Sequence, residues 1–244
     1  MQTESSQEPR TAVQIPGTEL LPDYGAKPAS YFEETREEML RFIPESSRRL
    51  LDVGCGSGGF GALLKKSRPA EVWGVEPFAS AARLAAGRLD RVIHGAFPPD
   101  GELPVSYFDC ITFNDVLEHL VDPYSALRYA RTLLSPQGVV VCSIPNIRHF
   151  PTIWRLLIHG EWKYRDCGTL DKTHLRFFTR SSIIEAFQRE GYSIETVVGI
   201  NSYRGVPDCS LRVWKLYKAI NALTRGKFDD LKFQQFAVVA RAAA

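Results

Sequence analysis

The chain has 244 residues, 44% of them hydrophobic, with 30 basic and 28 acidic side chains and a formal net charge of +2. That length and apolar share suffice for one full core with decorations, while the lack of any run of about 20 apolar residues excludes a membrane-spanning helix. The N-terminus has no basic-then-apolar signal pattern, so a cytoplasmic location is expected, and five cysteines without C-x-x-C spacing argue against a disulfide framework or a zinc site. Residues 1–23 are polar and contain proline without periodicity, which predicts a flexible tail ahead of a single domain over 24–244 with insertions at about 145–178 and 199–232. Tyr31 to Ile43 reads as a leading helix. Strand and helix patterns then alternate: a strand at 49–53, a helix from about 58, a strand at 71–75, a helix at 79–87, strands at 91–94 and 108–113, and a helix at 122–134. A strand at 138–144 follows, entered through the turn residues Pro136-Gln137-Gly138. Further on, Ser182 and Glu185 form a capping-box pattern, Gly191 ends the helix, and Tyr192 to Val198 and Gln235 to Arg241 read as strands. Such alternation implies a parallel, doubly wound sheet. Cys55, Cys110 and Cys142 fall in core elements as small buried hydrophobes.

The most informative segment is Leu50-Leu51-Asp52-Val53-Gly54-Cys55-Gly56-Ser57-Gly58-Gly59, an apolar strand that carries an acid and runs into a glycine-rich turn. Glycines at alternate positions let the backbone approach a ligand closely, and the following helix offers free N–H groups. Gly54, Gly56 and Gly59 satisfy the dinucleotide turn G-x-G-x-x-G. Asp52, Gly54, Gly56 and Gly58 also satisfy D-x-G-x-G-x-G. A pyrophosphate gains nothing from a carboxylate beneath the turn, whereas an ammonium-bearing cofactor does. A second strand, Glu71 to Val75, ends at Glu76, placed to reach ribose hydroxyls in either kind of site.

The D-x-G-x-G-x-G segment resembles motif I of the class I S-adenosylmethionine (SAM)-dependent methyltransferases, and the resemblance extends from about residue 48 to 241. It is carried further by Phe108-Asp109-Cys110-Ile111-Thr112-Phe113-Asn114-Asp115-Val116-Leu117-Glu118-His119-Leu120 with Asp122-Pro123. It implies an α/β fold: a Rossmann-like, doubly wound mixed sheet of about seven strands, the last antiparallel, with helical and aromatic insertions forming a substrate lid. The implied cofactor is SAM, bound by Asp52, Gly54, Cys55, Gly56, Gly58, Glu76, Pro77, Ala96, Phe97, Asn114 and Asp115. Members usually carry Gly-Asp after the third strand; Gly95-Ala96 stands there instead, which leaves the adenine to backbone groups and Phe97.

Ser143-Ile144-Pro145-Asn146 and Leu170-Asp171-Lys172-Thr173-His174-Leu175-Arg176-Phe177-Phe178-Thr179 resemble a subgroup associated with sugar and surface-polysaccharide pathways. The expected acceptor is therefore a sugar, nucleotide sugar or glycan intermediate. A sugar hydroxyl is a poor nucleophile until it loses its proton, so His119 and His174 are the candidate bases. If Asp115 to His119 is helical, Asp115, Glu118 and His119 share a face, and with His174 they form a candidate set for a divalent cation, as in the ubiquinone-pathway O-methyltransferases and small-RNA methyltransferases that this region resembles. The alternative is that Glu118 and His119 pair with each other or with the turn backbone. Tyr31, Asn146, Trp162 and Arg176 are the candidate acceptor-binding residues, Arg176 through a phosphate and the aromatics through stacking; Trp154, Leu156 and Leu157 read as core of an inserted helix.

Charge is unevenly placed: residues 1–40 hold 3 basic and 8 acidic side chains, whereas residues 145–244 hold 16 and 9, which suits an anionic acceptor or a plain solvated surface. The helix Leu211 to Leu223 carries Arg212, Lys215 and Lys218 beside Trp214, Leu216, Tyr217 and Ile220, a face for a membrane surface, a second subunit or its own core. No separate nucleic-acid-binding module is visible. Three classes of function stay open: an O-methyltransferase on a sugar or glycan, an N- or C-methyltransferase on another small metabolite, and a non-catalytic SAM-binding module. An NAD-dependent reductase is more remote, because no Tyr-x-x-x-Lys is evident.

Overall fold

The computed structural model describes residues 32–99, 103–202 and 211–243. Its strands are β1 (Arg49–Val53), β2 (Glu71–Glu76), β3 (Arg91–His94), β4 (Phe108–Asn114), β5 (Leu134–Pro145), β6 (Tyr192–Ser202) and β7 (Phe233–Ala242). They form one seven-stranded sheet in the order β3-β2-β1-β4-β5-β7-β6. β1 to β5 run in parallel, and β7 is antiparallel to both of its neighbours, as expected for a mixed sheet closed by a hairpin. Chain order reverses between β1 and β4, which opens a crevice at the carboxyl ends of these strands.

Helices α1 (Gly59–Ser67), α2 (Ala79–Ala86) and α3 (Pro123–Leu133) make the crossovers, followed by α4 (Phe150–Trp154), α5 (Arg180–Arg189) and α6 (Leu211–Leu223). α3 starts where it does because the Asp122 carboxylate accepts from the Tyr124 and Ser125 N–H groups, both at 3.1 Å, while Pro123 fills the first turn. The central strands are apolar at consecutive positions because both faces are covered. Leu51, Ile111 and Phe113 pack with Leu127 and Phe187 on one face; Leu50, Cys110 and Val141 pack with Met39 and Leu64 on the other. Cys55, Cys110 and Cys142 are buried.

Several local expectations differ from the structure. The leading helix is reduced to a 3-10 turn at Glu37–Phe42, because Arg36 sits in the left-handed region with φ 46° and breaks the helix ahead of it. β5 begins at Leu134, not 138, and passes through Pro136-Gln137-Gly138 with a register shift against β4; a Cβ at Gly138 would lie 2.7 Å from the Phe108 carbonyl oxygen. The cap of α5 is Thr179, whose hydroxyl accepts from the Ser182 N–H at 3.2 Å while Ser182 Oγ accepts from the Thr179 N–H at 2.9 Å. The box therefore starts three residues before the Ser182–Glu185 pair. α4 runs into a π-turn at Arg155–His159, which ends at Gly160 with φ 63°. Phe150, Tyr217 and Leu231 form a small third core with Trp154, Trp214 and Phe228, but Leu156 and Leu157 point outward, 38% and 74% exposed. The expected tail at 1–23 lies outside the described residues.

Candidate active site

The chain leaves β1 through Gly54, Gly56 and Gly58, with φ of 69°, 53° and 80°. A Cβ at Gly54 would stand 2.6 Å from Val116 Cγ2, and one at Gly56 would stand 2.6 Å from the Phe32 carbonyl oxygen. Conformation and space thus both demand glycine. That carbonyl accepts from the Ser57 N–H at 2.8 Å, and the Phe32 ring meets Phe78 with centroids 5.1 Å apart. The leading segment therefore lies directly over the glycine turn.

Beneath the turn, buried Asp52 accepts from Thr112 Oγ1 at 2.6 Å. Burial pushes its pKa up to about 7, against the pull of the Thr112 hydroxyl and with a further push from Glu76. Glu76 is also raised by burial, while the Phe78 and Gly56 N–H groups that donate to it, at 3.0 and 2.8 Å, restrain the rise. Between β1 and β4 opens a cavity of about 460 Å³, lined by Asp52, Gly54, Cys55, Gly56, Glu76, Pro77, Ala96, Phe97, Asn114 and Asp115. Gly58 stands behind it as the N-cap of α1, against Ala85 and Leu89. Phe97 is buried edge-to-face against Phe113 and Tyr129, and so forms floor rather than a free stacking platform. The Asn114 side-chain amide is buried with neither its nitrogen nor its oxygen hydrogen-bonded. An orphaned amide, two acids and a glycine cradle on one wall fit a cofactor that brings hydroxyls and an ammonium.

The rest of the cavity lining is assembled from distant segments. Asp115, with φ 55°, ion-pairs with Arg36 at 2.6 Å and accepts from Ser143 Oγ at 3.0 Å and Gln235 Nε2 at 2.8 Å. Gln235 Oε1 in turn accepts from Arg36 at 3.0 Å and Asn201 at 2.6 Å. Arg36, Asp115 and Asn201 all hold left-handed backbones, a strain that this shared network offsets. Burial raises the Asp115 pKa, and the Arg36 guanidinium lowers it. Arg36, Asn201 and Gln235 went unforeseen, since nothing near them in sequence marks a site.

Only Leu117–His119 is helical here, as a single 3-10 turn, so Asp115 does not share a face with the residues after it. Among the described residues, the groups that could hold a metal ion are Glu118, His119 and His174, with ligand atoms within 4.8 Å of one another. The two imidazoles meet edge-to-face with centroids 4.7 Å apart, and His174 Nε2 lies 3.9 Å from Glu118. His119 Nδ1 bonds the Thr173 carbonyl and His174 Nδ1 the Thr169 carbonyl, each at 3.1 Å. A carbonyl only accepts, so both Nδ1 atoms carry protons, and Nε2 is the lone-pair nitrogen of each neutral ring. Glu118 is buried and neither of its carboxylate oxygens accepts a hydrogen bond; burial, then Asp115, drives its pKa well up.

The candidate acceptor residues are not gathered at the cavity. Asn146 is buried, its amide donating to the Asp230 and Phe233 carbonyls and accepting from the Arg148 N–H, so it ties the insertions together. Trp162 packs against Phe177, and exposed Arg176 donates to the Val121 carbonyl; neither lines the cavity. Tyr31 lies outside the described residues. The 145–178 insertion reaches the cavity instead through Cys167, Gly168, Thr169, Asp171 and His174.

Residues 29–197 match a family model described as a methyltransferase domain. The chain is 28% identical over 165 residues to the ubiquinone biosynthesis O-methyltransferase of Pseudomonas aeruginosa, covering 64% of this chain and 68% of that one. It is 29% identical over 170 residues to the enzyme of the same name from Aeromonas salmonicida, covering 63% and 66%. A SAM-dependent methyltransferase from Archaeoglobus fulgidus shares its fold, with a TM-score of 0.59 at 18% identity over 89% of this chain and 96% of that one.

Proposed function

This chain belongs to the methyltransferase-domain family and is a class I SAM-dependent methyltransferase, and from that premise we propose that it methylates a hydroxyl of a sugar, nucleotide sugar or glycan intermediate, as a step of polysaccharide biosynthesis. One observation carries the reading: Glu118, His119 and His174 all line the cavity and bring their ligand atoms within 4.8 Å of one another. When bound, SAM supplies a methyl group already activated by its sulfonium leaving group. Asp52 and the Asn114 amide would hold its amino-acid end and Glu76 its ribose, and the Gly54–Gly58 turn would let the backbone approach it closely. What remains for the protein is to align an oxygen and take its proton. His174 accepts that proton at Nε2, which lies 3.9 Å from Glu118 Oε1, and His119 helps hold the acceptor. Thr169, Asp171, Asn201, Gln234 and Gln235 add polar lining to the cavity, which suits a polyol better than an apolar ring.

A second reading is favoured by the same cluster. A buried carboxylate with no donor and two imidazoles fixed as Nε2 ligands by carbonyl partners match what a divalent cation requires. Glu118, His119 and His174 would hold it, and the chemistry it would supply is acidification of the acceptor hydroxyl. The N- and C-methylation alternatives have no observation of their own in their favour.

The test is methyl transfer from labelled SAM to a panel of nucleotide sugars and glycans, with a polyprenyl catechol as the competing acceptor, before and after exhaustive chelation. Transfer to a sugar hydroxyl that His174→Ala abolishes supports the proposal. Transfer confined to the catechol, or to nitrogen or carbon, overturns it. Activity lost on chelation and restored by Mg²⁺ selects the cation reading over the base.

A further inference from the structure

Of the eleven large hydrophobic side chains exposed among the described residues, six lie in two short segments: Leu156, Leu157 and Ile158 in the π-turn after α4, and Leu216, Ile220 and Leu223 on α6. The two segments share one small core, in which Phe150 of α4 meets Trp214 and Tyr217 of α6 at 5.8 and 5.0 Å. Tyr217 faces inward, so Leu216, Ile220 and Leu223, spaced i, i+4 and i+7, form a stripe beside the buried face. They are 54%, 41% and 84% exposed, and Leu157 is 74% exposed. Scattered apolar residues need no explanation, but six in one region mark a contact surface.

Charge selects the partner. From Leu211 to Phe228 the sequence holds five basic residues and no acid, and Lys215, Lys218, Arg225 and Lys227 are exposed. Among the described residues, Asp229 pairs with Lys232, Asp230 with Arg148 and Glu161 with Lys163. A second copy docking through this face in a two-fold contact would set like charges against each other. An anionic lipid surface answers both features, cations at the headgroups and aliphatic tips below them.

We infer that the π-turn after α4 and the outer face of α6 dock this protein on an anionic lipid bilayer. The surface is continuous with the site through the chain: α6 lies between β6 and β7, whose ends bring Asn201 and Gln235 to the cavity, and the π-turn precedes the loop that carries His174. The inference concerns surface alone and stands apart from the identity of the acceptor.

Cosedimentation of the full chain with vesicles tests it without any methyl-transfer readout. Vesicles of equal parts phosphatidylglycerol and phosphatidylcholine should bind the protein at low salt and release it at high salt, and phosphatidylcholine alone should not bind it. The double variants Lys215→Glu/Lys218→Glu and Leu157→Ser/Leu223→Ser should each weaken binding about tenfold or more, with S-adenosylhomocysteine affinity retained as the check on folding. Absence of binding to the anionic vesicles, or equal binding to both compositions, overturns the inference on the wild-type protein alone. Concentration-dependent self-association that Leu223→Ser removes, without vesicle binding, assigns the surface to a second copy instead.

Discussion

The two parts of the cavity lining are built in opposite ways. The cofactor part comes from short stretches of chain, Asp52 to Gly58 and Glu76 to Phe78, and its shape is backbone shape: positive φ angles, a carbonyl over the turn, amides donating into Glu76. The acceptor part draws side chains from Arg36, Asp115 to His119, the 167–174 loop, Asn201 and Gln234–Gln235, and is held by ion pairs and side-chain amides. A site made of local backbone is bound to its fold, whereas one made of distant side chains can be altered without disturbing the sheet. Substitutions in the glycine turn or at Asp52, and at His174, should therefore act on one part and spare the other.

The largest effect belongs to the acceptor part. His174→Ala should lower kcat by roughly 10²–10⁴ and leave cofactor affinity unchanged; initial rates at saturating SAM, with a titration beside them, check this. Next is Gly56→Ala, whose Cβ meets the Phe32 carbonyl: strain of ~1–3 kcal/mol should weaken S-adenosylhomocysteine binding roughly ten- to hundredfold. Gly87→Ala, with an ordinary φ and its nearest neighbour at 3.5 Å, is the matched control and should bind normally.

Asp52 sharpens the comparison through pH. Cofactor ammonium favours the carboxylate, so affinity should fall as pH drops below about 7, approaching about tenfold per pH unit. Stability moves the other way. The folded pKa is raised from 3.8 to about 7, so the stabilising contribution is fully present below 3.8 and is lost as pH rises through 7. Asp52→Asn should accordingly melt no lower than the wild type at pH 8 while binding cofactor worse, a contrast that thermal unfolding with and without ligand reads directly.

Smaller effects come from the network. Arg36→Ala leaves Asp115 without its cation and should cost about 1–3 kcal/mol of stability, seen in denaturant midpoints, with both KM values raised because Arg36 ties the leading segment to the acceptor part. Smallest of all should be Arg176→Ala. It is exposed and bonded to a carbonyl outside the cavity, so acceptor KM should shift less than about twofold and stability by less than about 0.5 kcal/mol.

What could be read from the sequence follows the same division. Strands β1, β2 and β4 announce themselves as apolar runs because both faces of a parallel sheet are covered, and the glycine turn because its φ values admit nothing else. Arg36 carries no such mark: an arginine among glutamates looks like a helix surface until Asp115, distant in sequence, pulls it into the left-handed region. Glu118, His119 and His174 were legible as chemistry, but the helical face drawn through Asp115 was not real, since that residue's carboxylate belongs to the Arg36 network. Asn146 reads as a ligand residue from its motif, yet its amide bonds to main-chain carbonyls near β7 make it a brace. Long-range polar pairing has no period and leaves no local pattern.

Calorimetric titration of S-adenosylhomocysteine into the wild type, Asp52→Asn and His174→Ala tests the division of the cavity most directly. The predicted result is affinity lowered about tenfold or more in Asp52→Asn and unchanged in His174→Ala. Equal losses in both variants, or a loss confined to His174→Ala, would contradict it.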